Sequence, residues 1–120
     1  MTTVFVFIWI AVLISLVMWA CWTFDQLIVR EHALYHGHWR RDGKPIGFLY
    51  IPREARVLGG WAIRPGSVFA LHKLTLVWLF STPQWMRDDG EALRLLRRWR
   101  ILNIVYAMAF LGTLVVLYLS

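Results

Sequence analysis

VFVFIWIAVLISLVMWACWTF, residues 4–24, runs for 21 positions without a charged side chain, and ILNIVYAMAFLGTLVVLYL, residues 101–119, does the same over 19. At 1.5 Å of rise per residue each reaches roughly 30 Å as a helix, about the hydrocarbon thickness of a bilayer. Lipid offers no partner to a backbone amide, so such a segment must close its own hydrogen bonds as a helix. The two stretches therefore predict one transmembrane helix at each end of the chain. Composition agrees: 59% of the 120 residues are hydrophobic and 17% charged, an apolar excess unusual in a soluble fold. Nineteen aromatic residues argue against disorder, and a single cysteine excludes an internal disulfide framework.

A cleaved signal peptide is not expected, because Met1-Thr2-Thr3 supplies no basic n-region and the apolar run exceeds an ordinary h-region. Trp19, near Cys21, also disfavours a lipoprotein site, so Cys21 reads as a thiol buried in the membrane or between helices.

All 13 Lys and Arg and all 7 Asp and Glu lie within residues 25–100, which carry the whole net charge of +6. Cationic residues beside a span orient it towards the cytoplasm. The middle segment is thus expected in the cytoplasm or at its interface, with both termini periplasmic. Arg outnumbers Lys eleven to two, which hints at a GC-rich bacterial genome and hence a bacterial inner membrane.

Within this segment the first helix should continue as a stalk through Tyr35, since no breaker precedes Gly37. Asp42-Gly43, between Trp39-Arg40 and Phe48-Leu49-Tyr50-Ile51, is a hairpin signal for a small β-ribbon, with further turns at Gly59-Gly60 and Pro65-Gly66. Residues 67–81 predict a helix capped by Ser67 and stopped before Pro83. It is too short to span, and His72 and Lys73 near its middle favour an interfacial position. Asp88-Asp89-Gly90-Glu91 reads as a capping box, with Asp88 as the cap and Glu91 reaching back, that starts an amphipathic helix over 88–100 leading into the second span.

Arg94, Arg97, Arg98 and Arg100 crowd the entry to that span and suit anionic phospholipid headgroups, each contributing about 1 kcal/mol near the surface. No recognised module accompanies them, so nucleic acid is not an expected partner. Asp25, where the first span ends, is expected to pair with Arg98 or Arg100. Seven of the eight Trp fall between Trp19 and Trp99. Trp22, Trp61, Trp78, Trp85 and Trp99 are candidate contacts with headgroups or a partner protein, alongside Trp39, because indole prefers interfaces. Ala11-x-x-x-Ser15 and Ala109-x-x-x-Thr113 offer small-residue faces for helix contact.

His32 and His36 stand four apart beside Glu31, with His38 beyond, a spacing that permits a metal or haem without matching a zinc-protease pattern. Interfacial histidines are the preferred reading, and no cofactor beyond structural lipid is expected. No nucleophile with a base, phosphate-cradling glycine loop or dinucleotide fingerprint is present. Neither span carries an ionisable residue of the kind transporters and pumps need.

From Leu76 onward the chain resembles the universal stress protein B family of small bacterial inner-membrane proteins. Asp88-Asp89-Gly90-Glu91 followed by Arg94, Arg97 and Arg98 and then the final helix carries the resemblance. It implies a span at each end, a charged middle and a stress-linked role, with no active residues to carry over.

The fold expected is an all-α membrane protein, a two-transmembrane helical hairpin with an interfacial helix and a small irregular or β-ribbon cytoplasmic segment. The expected function is that of a non-catalytic accessory or scaffolding subunit of a larger membrane complex, respiratory or photosynthetic for example. A stand-alone stress-associated protein and a His-dependent metal or haem protein are the alternatives.

Overall fold

The computed structural model describes residues 3–120; Met1 and Thr2, which bear on the signal-peptide reading, lie outside the described residues. Helix α1 spans Thr3–Leu34 and helix α5 spans Gly90–Leu119. Between them come α2 (His36–Arg41), a two-stranded ribbon β1 (Arg56–Val57) and β2 (Ala62–Ile63), α3 (Pro65–Phe80) and the single turn α4 (Gln84–Arg87). Both long helices are long and apolar enough to cross a membrane, and their most apolar windows are 0% and 6% buried within the chain. The longest dimension is 51 Å, of which those apolar stretches take roughly 30 Å and a folded head the rest.

α1 continues beyond the apolar run, as the absence of a breaker predicts, and stops at Tyr35, whose φ of −128° and ψ of 51° leave the helical region. Half-buried positions on its apolar part recur at Trp9, Leu13, Leu16 and Ala20, and on α5 at Tyr106, Ala109 and Thr113. That spacing of three and four places one stripe of each helix against the other. Ala109 and Thr113 thus lie on the contact stripe, whereas Ala11 and Ser15 are exposed.

Every fully buried hydrophobic residue described lies between Phe24 and Leu102. At the centre, Phe24 meets Trp78 at 5.4 Å and Trp99 at 5.3 Å between ring centroids, and Trp78 meets Trp85 at 6.2 Å. α3 joins this core through Ser67, Ala70, Leu71, Leu74 and Trp78, one helical face, while His72 and Lys73 point away.

The head departs from the sequence reading at several points. Asp42-Gly43 turns the chain at the C-terminus of α2 and forms no hairpin. The reason is competition: the amides of residues 48–50, which a ribbon would need, bond a side chain on α1, and the Trp39 indole donates to the Pro45 carbonyl at 2.9 Å. The ribbon forms instead at Arg56↔Ile63 and Val57↔Ala62, where Gly59 and Gly60, both at positive φ, supply the reversal. Helix α3 starts with Pro65 in its first turn, two residues before the expected cap, because proline's fixed φ and missing N–H suit that position. Ser67 therefore faces the core rather than capping. Asp89, not Asp88, caps α5: its Oδ1 accepts from the Glu91 amide at 3.1 Å and the Ala92 amide at 3.3 Å. Glu91 turns outward to Arg94 instead of reaching back.

Candidate functional site at the membrane boundary

Asp25 follows the first apolar run directly, and the loop after Pro45 returns to meet it. Its Oδ1 accepts from the Phe48 amide at 2.5 Å, and its Oδ2 from Leu49 at 2.8 Å and Tyr50 at 3.2 Å. Three successive N–H groups converging on a carboxylate form an anion nest. A side chain at Gly47 would collide with that carboxylate, which is why glycine stands there. The expected pairing of Asp25 with Arg98 or Arg100 does not form, because backbone donors already occupy both oxygens. Phe48 and Leu49 are consequently held, exposed, at the level where the apolar part of α1 ends.

The arginines divide by partner. Arg100 donates to the Trp78 carbonyl at 2.8 Å and the Thr82 hydroxyl at 3.2 Å, tying the end of α3 to α5. Arg94 pairs with Glu91 on the same helix, and that contact holds the Glu91 carboxyl below its usual range. Arg97 and Arg98 form no ion pair or side-chain hydrogen bond among the described residues. Arg30, which the sequence did not single out, grips Asp89 through Nε at 2.6 Å and a terminal nitrogen at 3.0 Å. The Tyr35 hydroxyl donates to the same carboxylate at 3.0 Å. Arg30 and Tyr35, together with the Ala92 amide, hold Asp89 below the ordinary carboxylate range, and the Tyr35 phenol is raised in return.

Of the tryptophans expected at an outer surface, Trp78, Trp85 and Trp99 are buried in the head's own core, as is Trp39. Their correction follows from spacing: each lies on the inward stripe of its helix, where an indole contributes more by filling the core than by facing outward. Trp22 remains about half exposed and Trp61 is 92% exposed at the ribbon.

The histidines form a polar chain rather than a metal cage. His32 shares one ring nitrogen with Glu54 at 2.9 Å and the other with the Tyr50 hydroxyl at 3.2 Å. His36 faces the His32 carbonyl at 3.1 Å, and its ring stacks on Trp39 at 5.2 Å, while His38 lies beside Tyr35. No group of three His, Cys, Asp or Glu side chains among the described residues converges as ligands do. The Glu54 backbone amide, and after it His32, hold the Glu54 carboxyl low, whereas burial and the nearby Glu54 push the Tyr50 phenol up, away from tyrosinate chemistry.

Glu31, next along α1, is fully buried with neither carboxyl oxygen hydrogen-bonded among the described residues. Burial, reinforced by Asp42, pushes its carboxyl up to about 10, so it is neutral at physiological pH. The Trp85 indole beside it acts in the opposite direction. In the sequence Glu31 stands out only as a neighbour of His32, because burial alone distinguishes it from a solvated stalk residue.

Two clefts flank the hairpin near this boundary. One, of about 370 Å³, lies between α1, α3 and α5 and includes Cys21, His72, Asn103 and Tyr106. The other, of about 430 Å³, is lined by α1 and α5 alone and includes Arg30, Arg94 and Arg98. Comparison of the chain with family models, curated proteins and solved structures finds no match in any of the three.

Proposed function

We propose that this protein is a non-catalytic accessory or scaffolding subunit of a larger bacterial membrane complex, such as a respiratory or photosynthetic one. The head faces the cytoplasm, both termini face the periplasm and α3 lies along the interface. One observation carries the reading: the head exposes large apolar side chains although it buries a core of its own. Phe69 is 70% exposed, Leu49 71% and Phe80 87%, and Trp61 protrudes further still. A self-sufficient soluble head would gain nothing from that surface, whereas a bilayer and a neighbouring membrane subunit would both cover it. The exposed Ala11 and Ser15 add a flank of α1 on which another helix can approach closely. Basic residues clustered at the entry to α5 support the orientation.

Purification of a tagged full-length chain in mild detergent tests the proposal. Larger membrane proteins in fixed stoichiometry are the expected companions. Elution of the chain with lipid alone would sink the subunit reading in favour of the stand-alone stress-associated one. A reporter fused after Ser120 should be active only outside the cytoplasm; cytoplasmic activity would overturn the orientation.

A further inference from the structure

The cleft lined by α1 and α5 differs from the apolar surface around it in carrying three guanidinium groups. Trp22, Gln26 and Arg30 recur at every fourth residue along one stripe of α1, and Glu91, Arg94 and Arg98 lie on one stripe of α5. Two of the three cations are already balanced: Arg30 by buried Asp89, and Arg94 by Glu91. Among the described residues Arg98 is the uncompensated charge, so the cleft as built is one positive charge in excess.

We propose that this cleft is a site for the headgroup of an anionic phospholipid, whose phosphodiester is held by Arg98. A diester bears one negative charge, matching the excess, whereas free phosphate near neutral pH carries more than one. Guanidinium presents its donors as a fork that fits two phosphate oxygens, and the Gln26 amide adds a further donor on the facing wall. Its volume of about 430 Å³ falls within the range of small-molecule pockets, roughly 300–1,000 Å³. Below it the surface continues apolar, as the acyl chains of a bound lipid require. Met18 and Ile14 on α1 are 53% and 57% exposed, and Ile101 and Val105 on α5 are 59% and 44% exposed, offering a track for acyl chains. Half-exposed Trp22 marks the headgroup level, where an apolar ring with a polar N–H is at home. Arg97 is the internal control: it is one residue away, equally charged, more exposed and outside the cleft.

The site rests on the membrane placement proposed above but not on a partner subunit. The test is native mass spectrometry of the full-length chain in mild detergent, titrated with phosphatidylglycerol, phosphatidylcholine or inorganic phosphate. One tightly held phosphatidylglycerol is expected, with phosphatidylcholine clearly weaker and inorganic phosphate unable to displace it. Arg98→Gln should weaken binding by about fivefold or more, and Arg97→Gln by less than about twofold. Ala33→Glu, an exposed cleft-wall position where a carboxylate should not disturb packing, should weaken binding like Arg98→Gln, and so covers the case in which that variant folds poorly. Equal losses at Arg97 and Arg98 would overturn the proposal in favour of a diffuse collar. Displacement by inorganic phosphate would overturn it in favour of a free-anion site. Loss of the lipid with companions still co-purifying would sink the site alone; retention of lipid by a chain that elutes by itself would sink the subunit reading alone.

Discussion

The head and the apolar arms are built from the same two helices, yet they are held in opposite ways. Within the head, α1 and α5 bury Phe24, Leu27, Ile28, Leu95, Leu96 and Trp99, and Asp25 and Asp89 each accept several hydrogen bonds. In the arms the same helices run on with almost nothing buried, touching along a single half-buried stripe. The difference follows from solvent. In the membrane placement proposed above, water drives the head's aromatics together, whereas lipid is as apolar as leucine and gives the arms no such drive. On that placement the head defines its own structure, and the arms depend on what surrounds them.

The sharpest way to break this contrast is at the junction. Asp25→Ala removes the acceptor of three amides and leaves the 48–50 loop with no fastening to α1. A cost of about 2–3 kcal/mol is expected, roughly 1 kcal/mol net for each of the three amides left without its acceptor. With the chain in vesicles and the head outward, chymotrypsin cleavage at Phe48 and Tyr50 should rise by roughly 30- to 150-fold, if opening equilibrates before cutting. Asp25→Asn, keeping one oxygen, should fall between. Unchanged cleavage in Asp25→Ala would mean the loop is held by packing alone.

A second effect distinguishes the regions by pH. Glu31 titrates near 10 in the folded head against an ordinary value of 4.5, so the folded state holds a proton that the unfolded state releases. The sign follows: this contribution is fully present below pH 4.5 and is lost as pH rises towards and through 10, with a slope of at most about 1.4 kcal/mol per pH unit. Glu31→Gln abolishes the titration. Thermal unfolding followed by near-ultraviolet circular dichroism, which reads the head's tryptophans, should show the wild type weakening from neutral to alkaline pH and the variant much less so. Parallel curves would show that the carboxyl reaches water. Asp89, held low, contributes the other way: its stabilisation is present above the usual carboxylate range and is lost as pH falls through its depressed value.

What was legible in the sequence follows the same division. The arms could be read because their signal is composition, which needs no partner. The start of α5 at the 88–91 acids and the run of α1 beyond Asp25 were readable from caps and breakers, although which aspartate caps was not. It was settled by Arg30, 59 residues away, which draws Asp89 inward and leaves Asp88 exposed. The misplaced ribbon has the same origin. Asp42-Gly43 is a competent turn, but its strands lost their donors to Asp25, 23 to 25 residues earlier. Local spacing carries no trace of such pairings. The tryptophans illustrate a further limit, because an indole suited to an interface is equally suited to a core, and only the helix face decides.

The smallest expected effect probes whether the arms have any fastening of their own. The Trp9 indole donates to the Thr113 hydroxyl at 2.6 Å, and that hydroxyl donates onward to the Ala109 carbonyl at 2.8 Å. Thr113→Val keeps the shape, removes the acceptor and leaves the Trp9 N–H facing hydrocarbon. Hydrogen bonds between helices in lipid are worth about 0.6 kcal/mol on average, because the separated helices find other partners. Antiparallel packing sets Leu13 opposite Ala109, so Leu13→Cys with Ala109→Cys, in a Cys21→Ser background, reports how often the arms meet. Thr113→Val should slow that disulfide by about two- to threefold. A loss of tenfold or more would show that the arms fasten themselves and would erase the contrast with the head. No change would show that the head, through α3 and the Asp25 clamp, holds the arms together, leaving their outer faces for lipid and partner.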